Sequence, residues 1–205
     1  MTKSENDLRD ILAASKVVPV VTLGDAAHAV PIARALMAGG IHAIEITLRS
    51  DAAYDGIRAV KAEVPDIALG IGTVIHDNQM EFCIEVRPDF IVTPGTTREL
   101  YDAIAPTGLT LVPGIATASE AVAALQRGCD FVKLFPAEAA GGVPLLKGIG
   151  GPIPQLTFMP TGGITQENAP GYLALPNVLC VGGSWITKTD DMDEITRRAK
   201  AASAL

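Results

Sequence analysis

Short, nearly continuous apolar runs alternate along this chain with longer stretches in which apolar residues recur at helical spacing. The first pattern suits a strand covered on both faces, the second an amphipathic helix. Residues 5–15 predict a short amphipathic helix with Leu8, Ile11 and Leu12 on one side, and Val17–Thr22 predicts the first strand. Asp25 is placed to cap a helix over Ala26–Ala38 that Gly39-Gly40 ends; Pro31 lies too deep for a first-turn proline, so the ordered helix should begin near it or bend there. His42–Leu48 predicts the second strand. Its alternation sets Ala43, Glu45, Thr47 and Arg49 on one face and Ile44, Ile46 and Leu48 on the other. A helix over Asp51–Val64 ends before Pro65.

The alternation continues to the end of the chain. Further strands are predicted at Ile67–Thr73, Phe90–Thr93, Thr110–Pro113, Phe131–Pro136, Leu156–Pro160 and Val178–Val181. Helices over Asp77–Val86, Thr97–Ala105, 118–127, 166–174 and 190–203 fill the intervals, and the Gly- and Pro-rich residues 141–155 allow one short helix. Strands that alternate with helices predict an α/β fold with a parallel sheet. Eight such units with no linker predict a (β/α)8 TIM barrel, a single domain over 1–205 with a short N-terminal helix, near the small end of that fold's size range. An open doubly wound sheet is the competing architecture, and it needs only about six strands.

Composition narrows the function classes. A net charge of −7 argues against a nucleic-acid surface, although a local field can still attract a small anion. Cys83, Cys129 and Cys180 are odd in number and widely spaced, which predicts free thiols in a reducing compartment. Met1–Asp10 is polar with no apolar signal core, and no run approaches membrane-spanning length, so a cytoplasmic protein is expected.

The candidate chemistry centres on Lys133, a lone charge within Phe131-Val132-Lys133-Leu134-Phe135. Desolvation among apolar neighbours disfavours the ammonium and lowers its pKa, and a neutral amine attacks carbonyl carbon. The alternative is a strand-end lysine that reaches to solvent. Polar and glycine positions gather at the C-terminal ends of the predicted strands, the face on which barrel active sites lie. Glu45, on the second strand, would face Lys133 on the sixth across the interior, either as a salt-bridge partner or as a proton relay. Arg49 offers a planar fork for a carboxylate, and Thr73 a hydroxyl and an amide after Gly72. Gly162-Gly163 and Gly182-Gly183-Ser184 follow the seventh and eighth strands, where bare amides bind phosphate in such barrels; tight turns are the alternative, and two pairs on neighbouring strands favour phosphate. His28, His42 and His76 are too scattered for a metal site, no carboxylate cluster suits an octahedral ion, and no nucleotide fingerprint follows the first strand.

Glu45-Ile46-Thr47-Leu48-Arg49, Gly70-Ile71-Gly72-Thr73-Val74, Val132-Lys133-Leu134-Phe135-Pro136-Ala137-Glu138, Pro160-Thr161-Gly162-Gly163-Ile164 and Gly182-Gly183-Ser184-Trp185 together resemble the 2-keto-3-deoxy-6-phosphogluconate aldolases, also called 4-hydroxy-2-oxoglutarate aldolases. The resemblance runs from about Val17 to Trp185. It implies a class I lyase of the Entner–Doudoroff route, a homotrimer of (β/α)8 barrels without a cofactor, acting on a small phosphorylated keto acid. It also implies roles: Lys133 forms the Schiff base, Glu45 shuttles protons, and Arg49 and Thr73 hold the pyruvate carboxylate. Pro94 and Phe135 would line the pocket, and Gly162, Gly163, Gly183 and Ser184 would take the phosphate. Thr161 fits the gluconate-type rather than the galactonate-type pattern. Lys16 is less typical of the family, and a part for it in phosphate binding is left open.

Overall fold

The computed structural model describes residues 3–205, so of the polar start read over Met1–Asp10, Met1 and Thr2 lie outside the described residues. Helix α1 (Glu5–Ser15) is capped by Ser4, whose hydroxyl accepts from the Asp7 amide. There follow β1 (Val17–Val21), α2 (Ala29–Ala38), β2 (Ala43–Thr47), α3 (Ala52–Glu63), β3 (Ala68–Gly72), α4 (Met80–Val86), β4 (Phe90–Val92) and α5 (Arg98–Ile104). The second half holds β5 (Leu111–Val112), β6 (Gly114–Ile115), α6 (Ala118–Gln126), β7 (Phe131–Leu134), α7 (Ala137–Ala140), α8 (Gly142–Gly150), β8 (Thr157–Pro160), α9 (Ala169–Leu173), β9 (Val181–Gly183) and α10 (Met192–Ser203).

Every strand pairing recorded is parallel, as strand–helix alternation requires. The strands form a six-stranded sheet in the order β5-β4-β3-β2-β1-β9 and a three-stranded sheet β6-β7-β8. The sheets meet through Leu111–Ile115, which contributes β5 to one and β6 to the other. On the other side, isolated parallel bridges join Phe158 to Val178 and Thr161 to Gly182.

Alternation sorts the strand side chains into two cores. Ile44, Ile46, Leu69, Ile71, Val132 and Leu134 pack outward with the helices. Val18, Ala43, Ala68, Phe90, Val92, Val112, Phe131 and Met159 pack inward, and Leu8 and Leu12 of α1 join this inner cluster. The amphipathic stripe expected on residues 5–15 thus plugs the end of the strand array opposite the strands' C-terminal ends.

Several elements depart from expectation. α2 starts at Ala29, after a 3₁₀ turn over Ala26–His28 capped by Asp25, so Pro31 falls in the first α-turn, where its missing N–H costs nothing. The strand expected over Thr110–Pro113 is two strands, because Pro113 has no N–H to continue the ladder and the chain resumes pairing at Gly114. β7 stops at Leu134 rather than Pro136. The single helix expected within 141–155 is preceded by α7; α8 runs Gly142–Gly150 despite its glycines because Leu146 and Ile149 are buried. The last strand is Val181–Gly183, so Gly182 and Gly183 lie inside it rather than in a turn after it. Among the described residues no helix is long and apolar enough to cross a membrane.

Candidate active site

On β7, Val132 and Leu134 face the helices, which turns Lys133 inward; on β2, Ile44 and Ile46 do the same for Glu45. The two side chains meet. Lys133 Nζ donates to Glu45 Oε1 at 3.0 Å and Oε2 at 3.3 Å, with Lys133 5% and Glu45 0% exposed. Breaking so dry a pair by removing one partner costs about 3–5 kcal/mol, because the other charge stays buried. The Phe135 ring lies 5.5 Å from Nζ and adds a cation–π contact.

Gly72 makes room for the carboxylate. It pairs with Thr47 in the β2–β3 ladder, and a Cβ built on it would sit 2.2 Å from Glu45 Oε1. The next residue, Thr73, has φ +59°, which is rare and strained for a β-branched side chain.

The strands' C-terminal ends open into a cavity of about 570 Å³. Lys133, Phe135, Arg49, Thr73, Pro94, Thr161, Gly162, Gly163, Gly183 and Ser184 all line it. Of the candidate site residues, Glu45 and Lys16 alone are not on this wall; Glu45 meets it through its bond to Lys133. Lys16 is elsewhere: it precedes β1, and its Nζ donates to the Leu205 carbonyl at 2.5 Å.

The turn after β8 is clamped from behind. Its three carbonyls are occupied: Thr161 O accepts from Ala137 N at 2.8 Å, Gly162 O from Glu138 N at 3.1 Å, and Gly163 O from Asn168 Nδ2 at 3.0 Å. With φ of +98° and +80°, Gly162 and Gly163 adopt a left-handed backbone that suits glycine. Glu138 packs on Gly163 and accepts a short hydrogen bond from the buried Tyr172 hydroxyl. Burial first, and this bond second, push the Tyr172 phenol above its ordinary pKa, so it stays a donor.

The second glycine pair has another explanation. A Cβ on Gly182 would lie 2.1 Å from Thr161 Oγ1, and one on Gly183 would lie 1.8 Å from the Trp185 ring. These positions are glycine because neighbouring side chains fill the space. Neither turn conformation nor bare amides alone accounts for them.

A family model described as KDPG and KHG aldolase matches residues 8–198. The chain belongs to this aldolase family. It is 46% identical to the 2-dehydro-3-deoxy-phosphogluconate aldolase of Pseudoalteromonas atlantica, over 96% of this chain and 94% of that one. Its structure superposes with a TM-score of 0.90 on the KDPG aldolase of Legionella pneumophila, solved with pyruvate captured as a covalent carbinolamine intermediate. That chain is 42% identical, with 95% of this chain and 97% of the other covered. A Zymomonas mobilis 2-keto-3-deoxy-6-phosphogluconate aldolase with 3-phosphoglycerate gives a TM-score of 0.92 at 40% identity, covering 98% of this chain and 97% of that one.

Within this aldolase fold the cavity holds residues that sequence reasoning passed over. These are Lys188 and Asp190; His28, set aside from the sequence only as a metal ligand, lines it too. A lone charged residue in a polar loop carries no pattern by which it could have been found. The role of Gly72 was equally hidden, since only the pairing of β2 with β3 sets it beneath Glu45.

Proposed function

We propose that this chain is a class I aldolase that cleaves 2-keto-3-deoxy-6-phosphogluconate to pyruvate and D-glyceraldehyde 3-phosphate. The observation that carries the reading is the dry contact of Lys133 with Glu45 beside a cavity whose remaining polar walls suit anions. Both imine chemistry and proton relay need this pair of groups at this spacing.

The Lys133 ammonium gives a proton to Glu45, and the freed amine adds to the C2 ketone. Glu45 returns that proton to the carbinolamine hydroxyl, which leaves as water and gives an iminium. The C4 hydroxyl proton then passes to Glu45. This transfer runs directly or through a water. The C3–C4 electron pair moves into the iminium, the aldehyde departs, and an enamine remains. Glu45 protonates C3, and water hydrolyses the new iminium to pyruvate and free Lys133. Arg49 and Thr73 hold the carboxylate, Pro94 and Phe135 flank the chain, Thr161 contacts the hydroxylated carbons, and Gly162, Gly163, Gly183 and Ser184 receive the phosphate. 4-Hydroxy-2-oxoglutarate shares the reacting end, and the KDPG and KHG description of the family favours it as a second substrate, split to pyruvate and glyoxylate.

We infer further that the two sheets close into one (β/α)8 barrel forming a single domain. The shared Leu111–Ile115 segment and the bridges at Phe158 and Thr161 support this. Family membership supports a homotrimer working in the cytoplasm.

Pyruvate with borohydride should leave one stable three-carbon adduct on Lys133, read by peptide mass. Lys133→Ala should abolish both the adduct and cleavage. Folded protein that takes no adduct would overturn the aldolase reading and favour a barrel that binds phosphorylated metabolites without catalysis.

A further inference from the structure

We propose that Lys188 is a specificity-determining residue that supplies the cation for the substrate's phosphate; this rests on the aldolase reading above. The substrate has an anion at each end, a carboxylate and a phosphate of charge about −2. Cations on the cavity wall are few. Lys133 is held by Glu45 and is consumed as the imine. Arg49 and Lys188 remain, and neither lies within 4.0 Å of a carboxylate among the described residues. Other cations near this end of the chain are already paired: Arg198 binds Glu194 and the Trp185 carbonyl.

The two unpaired cations are placed as a ruler for a doubly anionic chain. Arg49 follows β2 and Lys188 follows β9, and only β1 lies between these strands. Neighbouring strands are about 4.8 Å apart, so β2 and β9 lie about 10 Å apart and their loops rise from the same rim. Arg49 sits with Thr73 and Lys133 on the part of the wall read as the keto-acid end. Lys188 shares its loop with Ser184 and faces the same space as the clamped Gly162-Gly163 turn. Backbone amides orient a phosphate, but they bring only partial charge. Asp190, on the same wall, repels the phosphate and sharpens the need for Lys188. An ammonium on a flexible stem in an exposed loop acts as a point charge that closes on the anion once it is bound.

The test compares the parent chain, Lys188→Ala and Lys188→Arg on two substrates, 2-keto-3-deoxy-6-phosphogluconate and the unphosphorylated 4-hydroxy-2-oxoglutarate. For Lys188→Ala, KM for the phosphorylated substrate should rise roughly ten-fold relative to its change for the other, with kcat little altered and partial recovery in Lys188→Arg. Inhibition by inorganic phosphate should weaken in parallel, and the salt dependence of the phosphorylated reaction should flatten. Equal changes on both substrates, or none on either, would overturn the assignment while leaving the aldolase reading intact. A parent chain that cleaves neither substrate overturns both.

Discussion

At the scale of single residues, the site depends on how closely a carboxylate is held to an amine. Glu45→Gln keeps the volume and an acceptor for Lys133 but loses the proton carrier. Turnover should fall by ~10²–10⁴ while some borohydride trapping of pyruvate is retained, because the trap accumulates even a slowly formed imine. Steady-state kinetics beside trapping would show it, and unchanged turnover would remove Glu45 from the relay. Gly72→Ala is the complementary test. The new methyl would sit 2.2 Å from Oε1, so the carboxylate must move. A displacement of this order costs about 10²-fold in turnover. Circular dichroism should stay close to the parent, while melting should fall, because the added methyl overpacks a buried site at a cost of about 1–3 kcal/mol. The strained φ of Thr73 belongs to the same scale: it directs the residue after Gly72 toward the wall that Arg49 shares.

At the scale of elements, side chains repair what the backbone breaks. Pro113 interrupts the ladder between β5 and β6, and the Gly114 N–H is taken by Thr93 Oγ1 at 2.9 Å. Thr93 is fully buried at the end of β4, next to Pro94 on the cavity wall. Thr93→Val keeps the shape but leaves that N–H unpaired. Stability should drop by about 1–3 kcal/mol, read as a lower denaturant midpoint at unchanged m-value. Helix α1 offers a second test. Leu12 is 0% exposed and packs with the inward strand residues. Leu12→Ala should cost about 2–5 kcal/mol even though it lies at the end of the strands remote from the catalytic pair. A loss well below 1 kcal/mol would mean that α1 does not plug the interior.

At the scale of the whole molecule, burial of neutral acids ties stability to pH. Desolvation pushes the Cys83 thiol up to about 12 and raises Cys180 and Cys129 as well. Tyr101 is pushed up to about 12, again chiefly by burial. Each group ionises first in the unfolded chain, near pH 8.5 for thiols and 10 for phenols. The unfolded state then holds fewer protons than the native one, so stability falls as pH rises. The contribution is complete below about pH 8 and should erode from there to about pH 12. Denaturant midpoints at rising pH would measure the slope, and Cys83→Ala combined with Cys180→Ala should make it shallower. An unchanged slope would mean that these thiols do not titrate differently in the two states.

The order of elements, the parallel pairing and the inward set of β2 were determined by the sequence alone. All follow from local periodicity: a strand alternates every two residues, so Ile44 and Ile46 fix the direction of Glu45 without knowledge of its neighbours. Lys133 was legible for the same reason, as a single charge in an apolar strand. The tertiary structure decided which inward residues share a space. That Gly72 serves Glu45, that Gly182 serves Thr161, that Pro113 is answered by Thr93 and that Lys188 reaches the cavity all depend on pairs far apart in the chain. Such pairs are set by strand order and register, which no local pattern of hydrophobic and polar residues encodes.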